Sequence, residues 1–203
     1  MFGRMDIDIW EVIEAARTKP FGFMPFYPGP GVGGHCVPVD PVYLLWKAQR
    51  AGATGRLMEV AGEINASMPQ YVVQQIEVAL RRRLGLGLQS SRILVLGIAY
   101  KKNVTDVRES PALELMELLE RAGASVSFHD PQVPVIPSGH DRMSGRRSIP
   151  LTTEALQSCH TALIVTDHDD VDYEAVVRHA SLVVDTRNVC ERRGLKAQNI
   201  VKA

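Results

Sequence analysis

The sequence predicts an α/β protein in two parts: a helical region over residues 1–88 and a Rossmann-like parallel sheet over residues 89–203. Up to Leu84 the apolar residues recur at helical spacing. After Ser91 short, wholly apolar runs alternate with amphipathic helical segments, the pattern of a parallel sheet joined by right-handed crossovers. Between them Gly85-Leu86-Gly87-Leu88-Gln89-Ser90-Ser91 has the composition of a linker. Such sheets bind ligands beyond the carboxyl ends of their strands.

In the first part, residues 5–16 form a helix that begins at the start of the chain, with nothing before it to pack against. Pro41 opens a second helix running to about Arg50, before Ala51-Gly52. A longer helix covers about 57–84 through Leu57, Val60, Ile64, Met68, Val72, Val73, Ile76 and Leu80, and Pro69 should kink or split it. Arg81, Arg82 and Arg83 read as a solvated helix terminus, where cations complement the dipole, rather than as a phosphate site. Long paired helices in a chain of this size point to a dimer interface.

In the second part, Ile93-Leu94-Val95-Leu96 is a buried strand ending in Gly97. Ser110 caps the helix that follows, Pro111 starts it and Gly123 closes it. Residues 125–130 form a second strand, and 131–150 are irregular and expected to be mobile. A short helix near 152–158 leads to a third strand at 162–166, a helix at 173–179 and a fourth strand at 182–185.

The 203 residues are 45% hydrophobic and 23% charged, as in ordinary globular chains. Lys plus Arg equals Asp plus Glu at 23 each, which argues against a nucleic-acid or membrane-surface role driven by bulk charge. No apolar run approaches the roughly 18 residues needed to span a bilayer, and no basic-then-apolar leader opens the chain. Cys36, Cys159 and Cys190 form no CxxC pair, so a reducing cytoplasm is the expected location.

The run Tyr27-Pro28-Gly29-Pro30-Gly31-Val32-Gly33-Gly34-His35-Cys36-Val37-Pro38-Val39-Asp40-Pro41 carries the most chemical information. Its glycines and prolines make a shaped loop whose bare backbone can approach a ligand. A thiol, an imidazole and a carboxylate follow within six residues. A second cluster, Gly97 to Pro111, places Lys101, Lys102 and Arg108 between a strand end and a helix N-terminus, as an anion site would. It lacks the GxGxxG dinucleotide fingerprint. Thr166-Asp167-His168-Asp169-Asp170 reads as a polar loop without metal-ligand spacing, and no metal is expected. Cys159-His160 reads as structural.

The nucleophile loop 27–41 resembles that of the UDP-glucose/GDP-mannose dehydrogenase family. Its flanks, Phe21 to Phe26 and Val42 to Ala48, look most like the branch acting on UDP-N-acetylhexosamines. Gly97 to Pro111 resembles the segment that opens the family's UDP-sugar-binding domain, and Asp185-Thr186-Arg187-Asn188 its carboxyl-terminal strand end. The resemblance implies a helical central, dimerising region followed by a UDP-binding domain, acting on a UDP-sugar as a homodimer with NAD as cofactor. Cys36 would be the nucleophile and Asp40 the base for a hydrolytic water. Tyr27, Pro28, Gly29, Pro30, Gly31, Val32, Gly33, Tyr100, Lys101 and Arg187 would hold the substrate. Cys36, Val37, Pro38, Val39 and Arg108 would flank the cofactor. The implied reaction oxidises a sugar CH2OH twice to a carboxylate through a thiohemiacetal and a thioester on the cysteine, in polysaccharide-precursor synthesis. The family's amino-terminal NAD-binding domain has no counterpart here, so this chain alone is expected to be inactive. Two other readings stay open: a non-catalytic UDP-sugar-binding dimerisation module, and, far behind, a hydrolase using Cys36 and His35.

Overall fold

The structure is a computed structural model and describes residues 2–203. A 3-10 turn at Phe2–Arg4 comes first, and helix α1 spans Ile9–Arg17 rather than starting at Met5. Asp8 sets the later start, because its side chain accepts the Trp10 N–H at 2.9 Å as an N-cap. Trp10 and Ile13 are the buried face of α1.

Helix α2 spans Cys36–Arg50 and so opens five residues before Pro41. Pro38 falls in the first turn, whose N–H groups have no helical partner to lose, and Pro41 forfeits a single bond. No residue of α2 is buried. Helix α3 runs unbroken over 29 residues, Arg56–Leu84; Pro69 does not split it. The carbonyl that Pro69 cannot engage is that of Asn65, and Gly31 packs beside it: a Cβ on Gly31 would stand 3.6 Å from Asn65 O and 3.7 Å from Pro69 Cδ. The proline thus makes a seat for the glycine loop.

The second part contains β1 (Arg92–Leu96), α4 (Pro111–Arg121), β2 (Ser125–His129), α5 (Thr153–Ser158), β3 (Thr161–Ile164), α6 (Tyr173–His179), β4 (Val183–Asp185), α7 (Val189–Arg192) and β5 (Ile200–Lys202). The strands form one wholly parallel sheet in the order β2-β1-β3-β4-β5. The edge strand β5 was not expected from the sequence. One face of the sheet is covered by α4 and the carboxyl-terminal half of α3, through Val72, Ile76 and Leu80. The other is covered by α5, α6 and α7, with Leu156, Tyr173, Val176 and Cys190 inside. Residues 131–150 hold little regular structure, but they are packed down. Val133, Ile136 and Met143 are buried, and Arg146 donates to Val126 O and pairs with Glu120.

Order reverses between β1 and β3, because the chain leaves β1 toward β2 and returns on the far side to form β3. That switch point opens a crevice above the carboxyl ends of the two strands. The glycine loop from the helical part lies against it.

Candidate functional site

The crevice is built from backbone outward. β1 ends at Leu96, and Gly97 turns the chain at φ +79°, where a Cβ would stand 2.2 Å from Thr166 O. The loops after β1 and β3 therefore touch backbone to backbone. Asp130, beyond the end of β2, accepts five hydrogen bonds, from the N–H groups of Ile98, Ala99, Gln132 and Val133 and from His168 Nε2. Burial pushes the Asp130 carboxyl pKa up, but the His168 and Ile98 hydrogen bonds outweigh it and hold it below the usual range. This carboxylate ties the ends of β1, β2 and β3 together.

Against this frame lies a cleft of about 510 Å³. Tyr27, Pro28, Gly29, Gly31, Val32 and Gly33 form one side, and Tyr100, Lys101 and Arg187 the other. Of the expected substrate residues, Pro30 alone is outside it, buried beneath the loop. The glycines are needed for contact. A Cβ on Gly33 would stand 2.6 Å from Glu109 O, and one on Gly29 would stand 2.7 Å from Arg187 Nη1. The Gly34 N–H donates to Arg108 O at 2.9 Å. Tyr27 turns its side chain away to α1: its ring stacks on Trp10 at 5.6 Å and its hydroxyl donates to Glu14 at 2.7 Å. What the loop offers the cleft is chiefly backbone.

Arg187 is the cation best placed for an anion. Its Nε–H donates to Val165 O at 2.7 Å, and it forms no ion pair among the described residues. Burial pushes its pKa below the ordinary value, only partly offset by the charges of Asp167 and Asp185. Its terminal NH2 groups remain for a ligand. Lys101 Nζ stands 5.4 Å from the centre of the Tyr100 ring, in the same wall.

The expected catalytic and cofactor residues sit apart from this cleft. Cys36 is the first residue of α2, exposed and outside the cleft lining. Its Sγ lies within 4.8 Å of the nearest ligand atoms of His35 and Asp40, which are themselves 3.5 Å apart. All three side chains are exposed. Val37 and Pro38 face a second cleft, of about 650 Å³, that shares Gly31, Val32 and Asn65 with the first and is rimmed by Glu59, Glu63, Glu109 and Glu114. Val39 is half-buried and lines neither. Arg108 is 67% exposed and folded back on Asp106, with Nη2 to Oδ2 at 2.6 Å. The Asp106 hydrogen bond raises its pKa.

Cys159, read from the sequence as structural, lies in the core, and so does Cys190. Both are buried, and burial pushes their thiols up to about 11 and about 12. His160 accepts the Arg92 N–H at 3.0 Å and so aligns the start of β1. Iodoacetamide at pH 8 on the folded chain should therefore alkylate one cysteine, in the peptide carrying Cys36. Equal labelling of Cys159 or Cys190 would contradict the burial described.

Sequence reasoning missed the Asp130–His168 pair, the Asn103–Asp169 contacts and the α3 residues Ile64, Asn65 and Met68 that floor the cleft.

Comparison with known proteins agrees with this architecture. The model of the UDP binding domain of the UDP-glucose/GDP-mannose dehydrogenase family matches residues 94–192, and that family's central-domain model matches residues 1–67. A UDP-N-acetyl-D-mannosamine dehydrogenase from Methanococcus maripaludis is 31% identical over 195 residues, which cover 91% of this chain and 41% of that protein. A UDP-N-acetyl-D-glucosamine 6-dehydrogenase from Pseudomonas aeruginosa is 36% identical over 141 residues, covering 70% of this chain and 33% of that one. Among solved structures, a UDP-D-ManNAc dehydrogenase from Pyrococcus horikoshii superposes with a TM-score of 0.80 at 27% identity, covering 98% of this chain and 44% of its own. A UDP-glucose dehydrogenase from Pyrobaculum islandicum gives 0.76 at 30%, covering 95% and 43%. The chain thus spans about two fifths of the length of the first curated relatives it matches.

Proposed function

Because the chain belongs to the UDP-glucose/GDP-mannose dehydrogenase family, we propose that it supplies the UDP-sugar site and the thiol of a UDP-N-acetylhexosamine 6-dehydrogenase. The observation that carries this is the meeting of the glycine loop with Tyr100, Lys101 and Arg187 in one cleft at the switch point of the sheet. Arg187 and Lys101 take the diphosphate, and the loop backbone holds the sugar.

The reaction takes a primary alcohol to a carboxylate, a four-electron change made in two steps. NAD+, when bound, would supply the hydride acceptor that each oxidation requires. Val37 and Pro38, one and two residues beyond Cys36 in the lining of the second cleft, would flank the ring of the cofactor, with Arg108 as its expected cationic contact. Cys36 attacks the aldehyde to give a thiohemiacetal, which the second oxidation converts to a thioester. Asp40, one turn along α2 from Cys36, takes a proton from the water that hydrolyses it, and the thiol is regenerated. The protein works as a cytoplasmic homodimer. Tyr43, Leu44 and Trp46 on α2 and Leu57 on α3 are exposed apolar side chains that would meet the second copy. No helix among the described residues is long and apolar enough to cross a membrane.

Calorimetric titration tests the reading. This chain should bind UDP saturably, UDP-N-acetylglucosamine more tightly than UDP-glucose, and GDP less well than UDP. Arg187→Ala should weaken UDP by about 10- to 100-fold, the scale of losing one charge-assisted hydrogen bond to the ligand; it also strips Val165 O of its donor, so melting is measured alongside and affinities are compared between folded samples. An unmoved affinity in that variant would take Arg187 out of the site. Failure of the wild-type chain to bind any UDP compound would leave the cleft without its assigned ligand.

A further inference from the structure

His168 is fully buried and makes two hydrogen bonds, one from each ring nitrogen. Nδ1 lies 2.9 Å from the backbone nitrogen of Asn103, and Nε2 lies 3.1 Å from Asp130 Oδ2. A backbone N–H can only donate, so Nδ1 carries the lone pair. Nε2 therefore carries the proton and donates it to Asp130. The ring is a neutral imidazole of fixed tautomer, held between a carboxylate and an amide.

The amide it holds belongs to a residue at a turn of the backbone. Asn103 has φ +60°, the left-handed region that asparagine adopts more readily than other non-glycine residues. Its side chain is also engaged on both sides, since Nδ2 donates to Asp169 Oδ2 at 2.6 Å and Oδ1 accepts the Asp169 N–H at 3.1 Å. Four residues earlier, Ala99 is held by Asp130 through its N–H and by the Thr166 hydroxyl through its carbonyl. Between these two clamps lie Tyr100, Lys101 and Lys102, and all three line the cleft.

We propose that His168 is a positioning residue for the diphosphate site: by accepting the Asn103 N–H it fixes the Tyr100–Lys102 segment in its ligand-binding arrangement. It touches no ligand itself. Asp130 sets the ring, the ring sets Asn103, and Asn103 sets the three cleft residues before it. This rests on the reading of the cleft as a UDP site.

Two substitutions separate the halves of the relay. His168→Gln places an amide nitrogen near the position of Nε2, so it can still donate to Asp130 but offers nothing to Asn103. His168→Asn places a carbonyl oxygen near the position of Nδ1, so it can still accept from Asn103 but abandons Asp130. Each variant is measured by thermal melting, by UDP titration and by amide exchange across residues 100–103. His168→Gln should weaken UDP about tenfold, the consequence of one unmade, part-buried hydrogen bond at the exposed Asn103. It should also speed exchange in that segment while melting near wild type. His168→Asn should melt lower yet bind UDP within about twofold of wild type when folded. If affinity follows melting temperature equally in both variants, His168 is core filling and the proposal falls. If His168→Gln does not fold, His168→Asn decides: retained affinity supports the proposal, lost affinity overturns it. A wild-type chain that binds no UDP refutes the reading of the cleft instead, and the exchange measurement still judges the relay.

Discussion

Gly97→Ala should destabilise the fold by at least about 3 kcal/mol, the sum of a left-handed backbone penalty and an overpacking cost. At φ +79° an alanine is strained whatever space it has, and here its Cβ would stand 2.2 Å from Thr166 O and 2.7 Å from Thr166 Cβ. The obstruction is backbone, which cannot swing aside as a flexible side chain would. Relief requires the ends of β1 and β3 to part. That stretches the Thr166 hydroxyl bond to Ala99 O and the Asp130 bonds to the Ile98 and Ala99 N–H groups. The same movement displaces Tyr100 and Lys101, so UDP affinity should fall along with stability. Gly62→Ala is the control. Gly62 lies within α3 with nothing inside 4 Å of the added Cβ, so the change should be neutral or stabilising by up to about 1 kcal/mol. Urea denaturation of the two variants gives the comparison. A Gly97→Ala loss below 1 kcal/mol would mean that the strand ends are not in the contact described.

Elements were legible wherever local chemistry and tertiary packing agreed. Ser110 and Pro111 mark the start of α4, and in the structure Ser110 Oγ accepts the Ala112 N–H at 3.3 Å with Pro111 at the first helical position. The wholly apolar Ile93–Leu96 run is a central strand, paired on both sides. Proline was over-read as punctuation. Pro41 reads as the opening of a helix and Pro69 as a kink or break, yet both lie inside helices, each forfeiting one bond that packing can outweigh. Strand β5 is three half-buried or exposed residues at a sheet edge, too short for any periodic signal. Residues 131–150 looked mobile because they lack periodicity, whereas isolated Val133, Ile136 and Met143 anchor them.

The site divides in the same way. The glycine loop and the lysines are consecutive residues with a shared character, so they stand out in the sequence. The Asp130–His168–Asn103 relay joins positions 38 and 65 residues apart, and only the parallel register brings them together. Within Thr166-Asp167-His168-Asp169-Asp170 the residues look uniformly polar. In the structure Thr166 and His168 are buried while Asp169 and Asp170 are exposed. Crossing loops at a switch point decide that, and composition carries no trace of it.

In an enzyme that joins this chain to a dinucleotide-binding domain, Cys36→Ser should lower acid formation by at least about 1000-fold, the scale of losing a covalent nucleophile. In the proposed reaction the two oxidations differ in what they ask of Cys36. The alcohol-to-aldehyde step has no use for a thiol, whereas the aldehyde must become an adduct before a second hydride can leave. Serine is a poorer nucleophile, and an oxyester hydrolyses more slowly than a thioester, so both capture and release suffer. UDP-sugar affinity should stay within about twofold of wild type, because Cys36 lies outside the lining of the UDP cleft. Undiminished acid production, followed by mass spectrometry of the sugar product, would remove Cys36 from the mechanism. Asp40→Asn should fail at a different point. With the thiol intact and the base gone, the acyl group should remain on sulfur and appear as a mass increase on the Cys36 peptide after one turnover. If neither variant holds back the acid, the carboxylate oxygen comes from water attacking the aldehyde directly, and the trio at the start of α2 has another use.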